Sequence, residues 1–205
     1  MLKVGLTGGI ASGKTTVAEL FRARGGRVLS ADRMAHELMA PGQPAYEEIL
    51  ETFSREVLAA DGTIDRKRLG AVVFADRVKL ARLNQIVHPR VIAALEKEFS
   101  RLAQEDASAI VIVEAALLVE AGYHRQLDKL VVTWCRPEQQ VERLRAKGLS
   151  PVEAEQRLAA QLPPEEKRRL ADYVIDCSGS REEAAAQAQR VFDELKRATA
   201  PGRKP

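Results

Sequence analysis

The stretch VGLTGGIASGKTTVAEL, residues 4–20, contains residue types that hold phosphate groups. Gly8, Gly13, Lys14 and Thr15 match the pattern G-x-x-x-x-G-K-S/T. In that pattern, backbone N–H groups at a helix start face an anion, the lysine reaches the terminal phosphates, and the hydroxyl binds Mg²⁺. Because an apolar strand pattern precedes the motif and a helical pattern follows it, we interpret the segment as a phosphate loop.

Two carboxylates directly follow or end other apolar segments. Asp32 comes after RVLSA (27–31), and Glu114 ends AIVIVE (109–114). Parallel strands deliver their carboxyl ends to the sheet edge where ligands bind. At that edge Asp32 can accept a proton from an attacking hydroxyl or help to hold Mg²⁺, and its alternative role is to cap the following helix. Glu114 occupies a position typical of a Mg²⁺-holding acid, with an ordinary surface carboxylate as the alternative.

Basic residues form a third group in a charge-rich helical stretch, at Arg143, Arg145, Lys147 and Arg157. Arg143 and Lys147 are four residues apart, which places them on the same face of a helix. Cations that close over a terminal phosphate stabilise the charge that develops during its transfer. For each residue taken alone, a solvated surface paired with nearby glutamates is the favoured interpretation, but together with a phosphate loop the group favours phosphate transfer.

The phosphate loop alone leaves motors, GTP switches, kinases and sulfotransferase-like enzymes open. A GTP switch needs an Asn-Lys-x-Asp guanine reader, and the single asparagine, Asn84, is followed by Gln85. The chain of 205 residues leaves no room for the mechanical domain of a large ATPase. A kinase of a small substrate is therefore the favoured class.

The composition of the chain is that of an ordinary globular protein. Its hydrophobic fraction is 45%, its charged fraction is 30%, and the net charge of +3 is too diffuse to indicate a nucleic-acid partner. No apolar run approaches the length of about 18 residues that predicts a membrane span. Cys135 and Cys177 belong to no metal-spaced cluster, which favours a reduced, cytoplasmic protein.

The elements that position these groups are predicted from five short apolar runs and the helical patterns between them. The pattern predicts an α/β fold with a parallel five-stranded sheet and right-handed crossovers. The predicted strands are LKVGLT (2–7), RVLSA (27–31), AIVIVE (109–114), KLVVTW (129–134) and DYVIDC (172–177).

Two long helical excursions interrupt this rhythm. Residues 33–105 contain no convincing strand and predict an inserted helical subdomain, with Asp65 and Asp76 as helix N-caps and a new helix starting near His88-Pro89. Residues 137–170 are rich in charge and poor in large apolar residues, which favours a mobile lid. The predicted core therefore comprises 1–32, 106–136 and 171–198, and residues 199–205 are predicted to be a disordered tail.

The ordered series of motifs along the chain resembles the dephospho-coenzyme A kinase family. The motifs are GLTGGIASGKTT, SADRMAHEL, DGTIDRKRL, LNQIVHPRV, ALLVE, QQVERLRAKGLS, EAEQRLAAQLPPEEK and ADYVID. The resemblance implies a P-loop kinase fold with an inserted coenzyme A domain and a lid. It also implies transfer of the ATP γ-phosphate to the ribose 3′-hydroxyl of dephospho-CoA with Mg²⁺, in a protein for which we favour a monomer.

The resemblance also implies roles for individual residues. Asp32 resembles the general base, with Lys14 and Arg143 completing the catalytic set. Substrate contacts are implied at Thr7, Asp32, His88 and Leu117, and adenine contacts at Cys177, Ser178 and Gly179. Mg²⁺ is assigned to Thr15, with Glu114 as a second candidate. Contacts to the ATP phosphates are implied for Gly9, Ala11, Ser12, Gly13, Lys14, Thr15, Thr16, Arg143, Lys147 and Arg157.

The chain departs from the family pattern at four positions. Ala11 replaces a usual glycine, which predicts that this position does not need a positive φ. Glu114 replaces a usual aspartate and Lys147 a usual arginine, so neither keeps the geometry of the residue that it replaces. Cys177 stands where asparagine is usual, which weakens a side-chain contact to adenine. Two other functions stay open: a P-loop kinase of another nucleoside or nucleotide, and a non-catalytic ATP sensor.

Overall fold

The apolar runs form five β-strands in the computed structural model, which describes residues 1–199. The strands are β1 (Leu2–Gly8), β2 (Arg27–Ser30), β3 (Ile110–Glu114), β4 (Lys129–Trp134) and β5 (Tyr173–Asp176). The helices are α1 (Lys14–Ala23), α2 (Ala31–Leu38), α3 (Pro44–Phe53), α4 (Arg66–Phe74), α5 (Arg77–Glu105), α6 (Pro137–Ala146), α7 (Pro151–Ala159), α8 (Pro164–Arg169) and α9 (Arg181–Thr199). In this part of the chain, no helix has the length and apolar character needed to cross a membrane.

All five strands pair in one parallel sheet with the order β2-β3-β1-β4-β5. This arrangement confirms the fold class predicted from the sequence. The register places Leu6 and Ser30 on either side of Glu114, so the carboxyl ends of β1, β2 and β3 lie side by side. The end of β1, where the phosphate loop starts, therefore lies beside the carboxylate of β3.

Helices cover the sheet because its central strands are apolar on both faces. On one face α1 and α9 pack against the strands, and the rings of Phe21 and Phe192 are 5.4 Å apart. On the other face Leu130 and Val132 form a smaller cluster, against which Leu162 packs. The core is thus supplied by runs that show no alternation in the sequence, as expected for strands buried on both sides.

Residues 31–97 form a second compact unit. Asp65 caps α4 by accepting hydrogen bonds from the N–H groups of Lys67 and Arg68, and the Asp76 carboxylate accepts from the N–H groups at the start of α5. Both capping predictions are confirmed. The insertion predicted for 33–105 extends further than this unit, because the last turns of α5, from Glu98, are grouped with the sheet.

Helix α5 runs without a break from Arg77 to Glu105, with Pro89 inside it. The prediction of two helices meeting at Pro89, with His88 at a helix start, is therefore wrong. Proline removes one backbone hydrogen bond, but the buried residues Ile86 and Val91 on either side keep the apolar face continuous. The Arg90 guanidinium donates to the Ile86 carbonyl oxygen at 2.6 Å, which gives this carbonyl a charged partner next to the proline.

The segment 137–170, predicted as a lid, contains α6, α7 and α8. It is more anchored than its composition indicates, because Leu144 and Ala154 are buried and Lys167 has an exposed fraction of 0%. The predicted tail lies outside the described residues except for Thr199, which ends α9 and is not part of a tail.

The buried ammonium group of Lys167 connects α8 to the chain that follows β3. It contacts Glu120 Oε1 at 2.8 Å and donates to the Ala116 carbonyl oxygen at 2.8 Å. Glu120 Oε1 also accepts from the Leu162 N–H, while Glu120 Oε2 is buried without a partner in the described residues. Burial lowers the pKa of Lys167, and the hydrogen bond to Glu120 opposes that change.

Breaking this pair should destabilise the protein more than replacing it. Glu120→Gln leaves the buried ammonium without a countercharge and should lower the free energy of unfolding by about 3 kcal/mol. The double variant Glu120→Gln/Lys167→Met removes the charge as well and should recover part of that loss. Urea unfolding monitored by circular dichroism measures both values. A double variant that is less stable than Glu120→Gln would contradict this account.

Candidate active site

The phosphate loop joins the end of β1 to the start of α1. Gly13 is the N-cap of α1, with φ 100°, a backbone conformation that glycine adopts without steric cost. A Cβ atom at this position would lie 2.9 Å from Cys177 Sγ, so the space there also requires glycine. Ser12 Oγ and Thr133 Oγ1 are 2.7 Å apart and fasten the loop to β4. The helix start is thereby oriented to present its N–H groups to an anion.

Ala11 adopts a left-handed conformation with φ 59°. The prediction that alanine at this position avoids a positive φ is therefore wrong. The family's usual glycine would take this conformation freely, whereas a Cβ atom makes it unfavourable by about 1–2 kcal/mol. The loop keeps its shape in spite of the substitution, so contacts from elsewhere must hold it.

The ammonium group of Lys14 lies against its own loop. Lys14 Nζ is 3.2 Å from the Gly8 carbonyl oxygen and 3.0 Å from that of Gly9. These neutral acceptors keep the charge over the mouth of the loop. A terminal phosphate is a stronger, charged acceptor for the same group, so the lysine is placed to exchange one set of partners for the other.

Thr15 and Glu114 are brought together at the carboxyl end of the sheet. The Thr15 hydroxyl donates to Glu114 Oε1 at 3.1 Å. A hydroxyl and a carboxylate are hard oxygen donors of the kind that bind Mg²⁺ together with substrate phosphates and water. Among residues 1–199 there is no cluster of three or more acidic, histidine or cysteine ligands, so the residues present fit an ion held partly by a nucleotide.

Arg143 connects the phosphate loop to the loop after β5. Its Nη1 group donates to the Ala11 carbonyl oxygen at 3.0 Å, and its Nη2 group donates to the Cys177 carbonyl oxygen at 2.8 Å. Gln139 Nε2 donates to the Ser178 carbonyl oxygen at 2.9 Å, so α6 contacts this second loop twice. The structure thus brings Arg143 to both loops for which nucleotide contacts were predicted, through backbone carbonyls.

Two glutamines that the sequence analysis did not single out contact the phosphate loop at Ile10. Gln140 Nε2 donates to the Ile10 carbonyl oxygen at 2.8 Å, and Gln161 Oε1 accepts from the Ile10 N–H at 2.9 Å. Gln140 has an exposed fraction of only 2%. These two neutral side chains lie in a charge-rich segment, and no pattern of charge or periodicity marks them in a single sequence.

Thr7 was predicted to contact the substrate, but its side chain is fully buried. Its hydroxyl donates to the Ala116 carbonyl oxygen at 3.3 Å, the same oxygen that Lys167 contacts. The Thr7 side chain therefore supports the chain after Glu114 from within, and its contact with a substrate stays a prediction. Leu117, which follows Ala116 and was also predicted to contact the substrate, is half-buried.

The other predicted residues occupy varied positions. Asp32 is the second residue of α2, which begins at Ala31, so it lies in the first turn of the helix and does not precede it. His88 lies in the middle of α5, and both residues belong to the unit of residues 31–97.

In the sheet-containing unit, Lys147 is the exposed C-cap of α6, and Arg157 lies near the end of α7. Thr16 belongs to the first turn of α1, and Gly179 is exposed before α9.

The two cysteines lie at the ends of adjacent strands, beneath the phosphate loop. Both are buried, and Cys135 Sγ lies 3.9 Å from the Ala11 carbonyl oxygen. Burial raises the pKa of Cys135 and raises the pKa of Cys177 to about 11. A thiol with a pKa of about 11 is neutral near pH 7, so Cys177 is a buried packing residue and not a nucleophile.

The parallel sheet, the phosphate loop after β1 and the paired Thr15 and Glu114 define a kinase of the P-loop class. Within that class, the chain belongs to the dephospho-CoA kinase family, whose model matches residues 2–183. The dephospho-CoA kinase of Aquifex aeolicus is 43% identical over 96% of this chain and 99% of its own length. That of Anaeromyxobacter dehalogenans is 46% identical over 96% and 93%.

Solved structures agree with this assignment. TT1252 from Thermus thermophilus has a TM-score of 0.78 and 36% identity, covering 95% of this chain and 97% of its own. Dephospho-CoA kinase from Campylobacter jejuni has a TM-score of 0.69 and 28% identity, covering 97% and 98%. Shikimate kinase from Bacteroides thetaiotaomicron, at 16% identity and a TM-score of 0.52, shares the fold.

The pKa of Cys177 predicts how stability depends on pH. An unfolded thiol ionises near its ordinary pKa of 9.0, whereas the folded thiol stays neutral to about 11. Between these two pH values the thiol ionises only in the unfolded state. One such group therefore lowers the free energy of unfolding by about 1.4 kcal/mol for each unit that the pH rises. Cys177→Ala should make this decline shallower in urea unfolding measured across the same pH range. An unchanged slope in the variant would contradict the assignment.

Proposed function

We propose that this protein transfers the γ-phosphate of ATP to the ribose 3′-hydroxyl of dephospho-CoA and releases CoA and ADP. The observation that carries the proposal is the family match over residues 2–183, which includes the whole phosphate loop. The kinase fold supports an ATP substrate, and the intact loop supports a catalytic protein. The cytoplasmic setting, the monomeric state and the absence of a nucleic-acid partner remain predictions from the sequence.

The phosphate loop binds the nucleotide in this proposal. N–H groups at the start of α1 hold phosphate oxygens, and Lys14 moves from its loop carbonyls to the terminal phosphates. Thr15 and Glu114 would hold Mg²⁺, which would supply positive charge to neutralise the phosphates. Arg143, which contacts both nucleotide loops, orients them, and the loop at Cys177, Ser178 and Gly179 borders the adenine through its backbone.

Asp32 is proposed as the general base. The strand β2 ends at Ser30, in register with Glu114, and Asp32 follows two residues later. An ionised carboxylate there accepts the proton of the attacking 3′-hydroxyl while the phosphoryl group moves. Residues 31–97, which include His88, are proposed to bind the acceptor. Segment 137–170 is proposed to close over ATP and bring Lys147 and Arg157 to its phosphates.

A turnover assay separates this function from the two alternatives. ADP release is measured with ATP and Mg²⁺ plus dephospho-CoA, a panel of nucleosides and nucleotides, or no acceptor. The proposal expects rapid ADP release with dephospho-CoA and a product that carries a 3′-phosphate. Preferred turnover of a nucleoside or nucleotide would establish the other kinase function, and ATP binding without turnover of any acceptor would favour a sensor.

Replacing Glu114 should change the Mg²⁺ requirement. Glu114→Gln keeps the shape and the hydrogen bond from Thr15 but removes the negative charge. We expect the Mg²⁺ concentration for half-maximal rate to rise several-fold, because a neutral amide is a weaker ligand for a hard cation. Glu138→Gln, an exposed residue at the start of α6, is the control and should leave this concentration unchanged. An equal Mg²⁺ requirement in Glu114→Gln and wild type would remove Glu114 from the metal site.

Replacing Asp32 tests the proposed base. Asp32→Asn keeps nearly the same shape but cannot take up a proton, and a general base contributes about 10²–10⁴-fold to rate. The variant should keep its melting temperature and its ATP affinity while kcat falls by at least about a hundredfold. Glu37→Gln, on the same exposed helix, should have normal kcat. A normal kcat in Asp32→Asn would show that another group accepts the proton.

A further inference from the structure

We infer that Gln140 and Gln161 are positioning residues, which hold the Ile10–Ala11 turn of the phosphate loop in its nucleotide-binding shape by bonding the two peptide units on either side of Ile10. They reach the loop from α6 and from the chain just after α7. The inference deepens the proposed function, on which it rests for the identity of the bound nucleotide. We call the two glutamine contacts and the Arg143 contact to the same turn the amide clamp.

Ile10 and Ala11 together have two backbone N–H groups and two carbonyl groups. The amide clamp bonds all of these except the Ala11 N–H. The Ile10 N–H donates to Gln161 Oε1 at 2.9 Å, and the Ile10 carbonyl accepts from Gln140 Nε2 at 2.8 Å. The Ala11 carbonyl accepts from Arg143 Nη1 at 3.0 Å. Three side chains from one segment therefore fix the orientation of three consecutive peptide units, one bond to each.

The turn needs this support because Ala11 has φ 59°. A non-glycine residue leaves this left-handed region unless its surroundings hold it there. If Ala11 relaxed to a negative φ, the adjoining peptide units would rotate, and their bonds to Gln140 and Arg143 would break. The clamp and the strained residue are thus two parts of one arrangement.

Close packing makes the position of Gln140 specific. A Cβ atom on Gly9 would lie 2.2 Å from Gln140 Nε2, so the amide occupies space that only glycine leaves open. Gln140 is also almost fully buried, which makes loss of its hydrogen bond unfavourable. The amide is therefore part of the wall of the phosphate loop.

Gln161 has a different consequence for the nucleotide. Its oxygen takes up the Ile10 N–H, which removes that donor from those that the loop offers to an anion. The remaining donors at the start of α1 then define where the phosphates lie. Because Gln161 follows α7, a movement of segment 137–170 would release this donor and change the loop itself.

The test is a double-mutant cycle between the clamp and the strained residue. Gln161→Met removes the acceptor but keeps the length of the side chain, and Ala11→Gly removes the strain that the clamp offsets. Wild type, both single variants and the double variant are titrated with ADP and Mg²⁺ in a calorimeter, and their melting temperatures are measured. Gln156→Met, in α7, is the matched control.

We expect Gln161→Met to weaken ADP binding by about fivefold to tenfold, because without this bond the free loop spends less time in its nucleotide-binding shape. In the Ala11→Gly background the same substitution should weaken binding by about twofold or less, because glycine adopts the positive φ without the strain that the clamp offsets. Gln156→Met should bind ADP as wild type does. A second double-mutant cycle pairs Gln140→Met with Ala11→Gly. Its loss of ADP affinity should likewise be smaller in the glycine background.

Three results would overturn the inference. One is unchanged ADP affinity in both Gln161→Met and Gln140→Met. Another is an equal loss of affinity in the alanine and glycine backgrounds, which would indicate general destabilisation. The last is a wild-type protein that binds no ADP. By contrast, intact ADP binding without turnover of dephospho-CoA would refute the proposed function alone, since the cycle needs no acceptor.

Discussion

The backbone N–H groups at the start of α1 must stay available for an anion, and much of the structure follows from this constraint. The phosphate loop can use only part of its donors on itself, as in the hydrogen bond from the Ser12 N–H to the Gly9 carbonyl oxygen at 3.2 Å. Its shape must come from neighbouring elements, and here these are β4 through Thr133, α6 through Gln140 and Arg143, and the chain after α7 through Gln161. The surrounding helices thus serve the loop as well as the core.

The same constraint explains which parts of the structure could be predicted from the sequence. Strands buried on both faces are continuous apolar runs, and the phosphate loop has fixed glycines, so β1 to β5 and the Lys14–Thr15 site were visible in the sequence. The amide clamp was not, because a glutamine can bind a loop or face solvent with the same local sequence. The prediction about φ at Ala11 failed for a related reason. The contact from Arg143 that helps to hold its positive φ comes from more than a hundred positions away in the sequence.

The error at Pro89 comes from reading a local signal without its tertiary setting. Proline is a helix breaker in isolation, yet the buried face of α5 extends past Pro89 and the helix continues. Long-range packing allowed this helix to continue, and packing cannot be read from one sequence.

The register of β4 and β5 has a consequence for how the protein can be observed. Trp134 pairs with Asp176, so the next residues of the two strands, Cys135 and Cys177, are neighbours under the loop. Both thiols are buried, so an alkylating reagent reaches them only when this edge of the sheet opens. The rate at which the two thiols are alkylated therefore measures local opening beneath the phosphate loop, and no added label is needed.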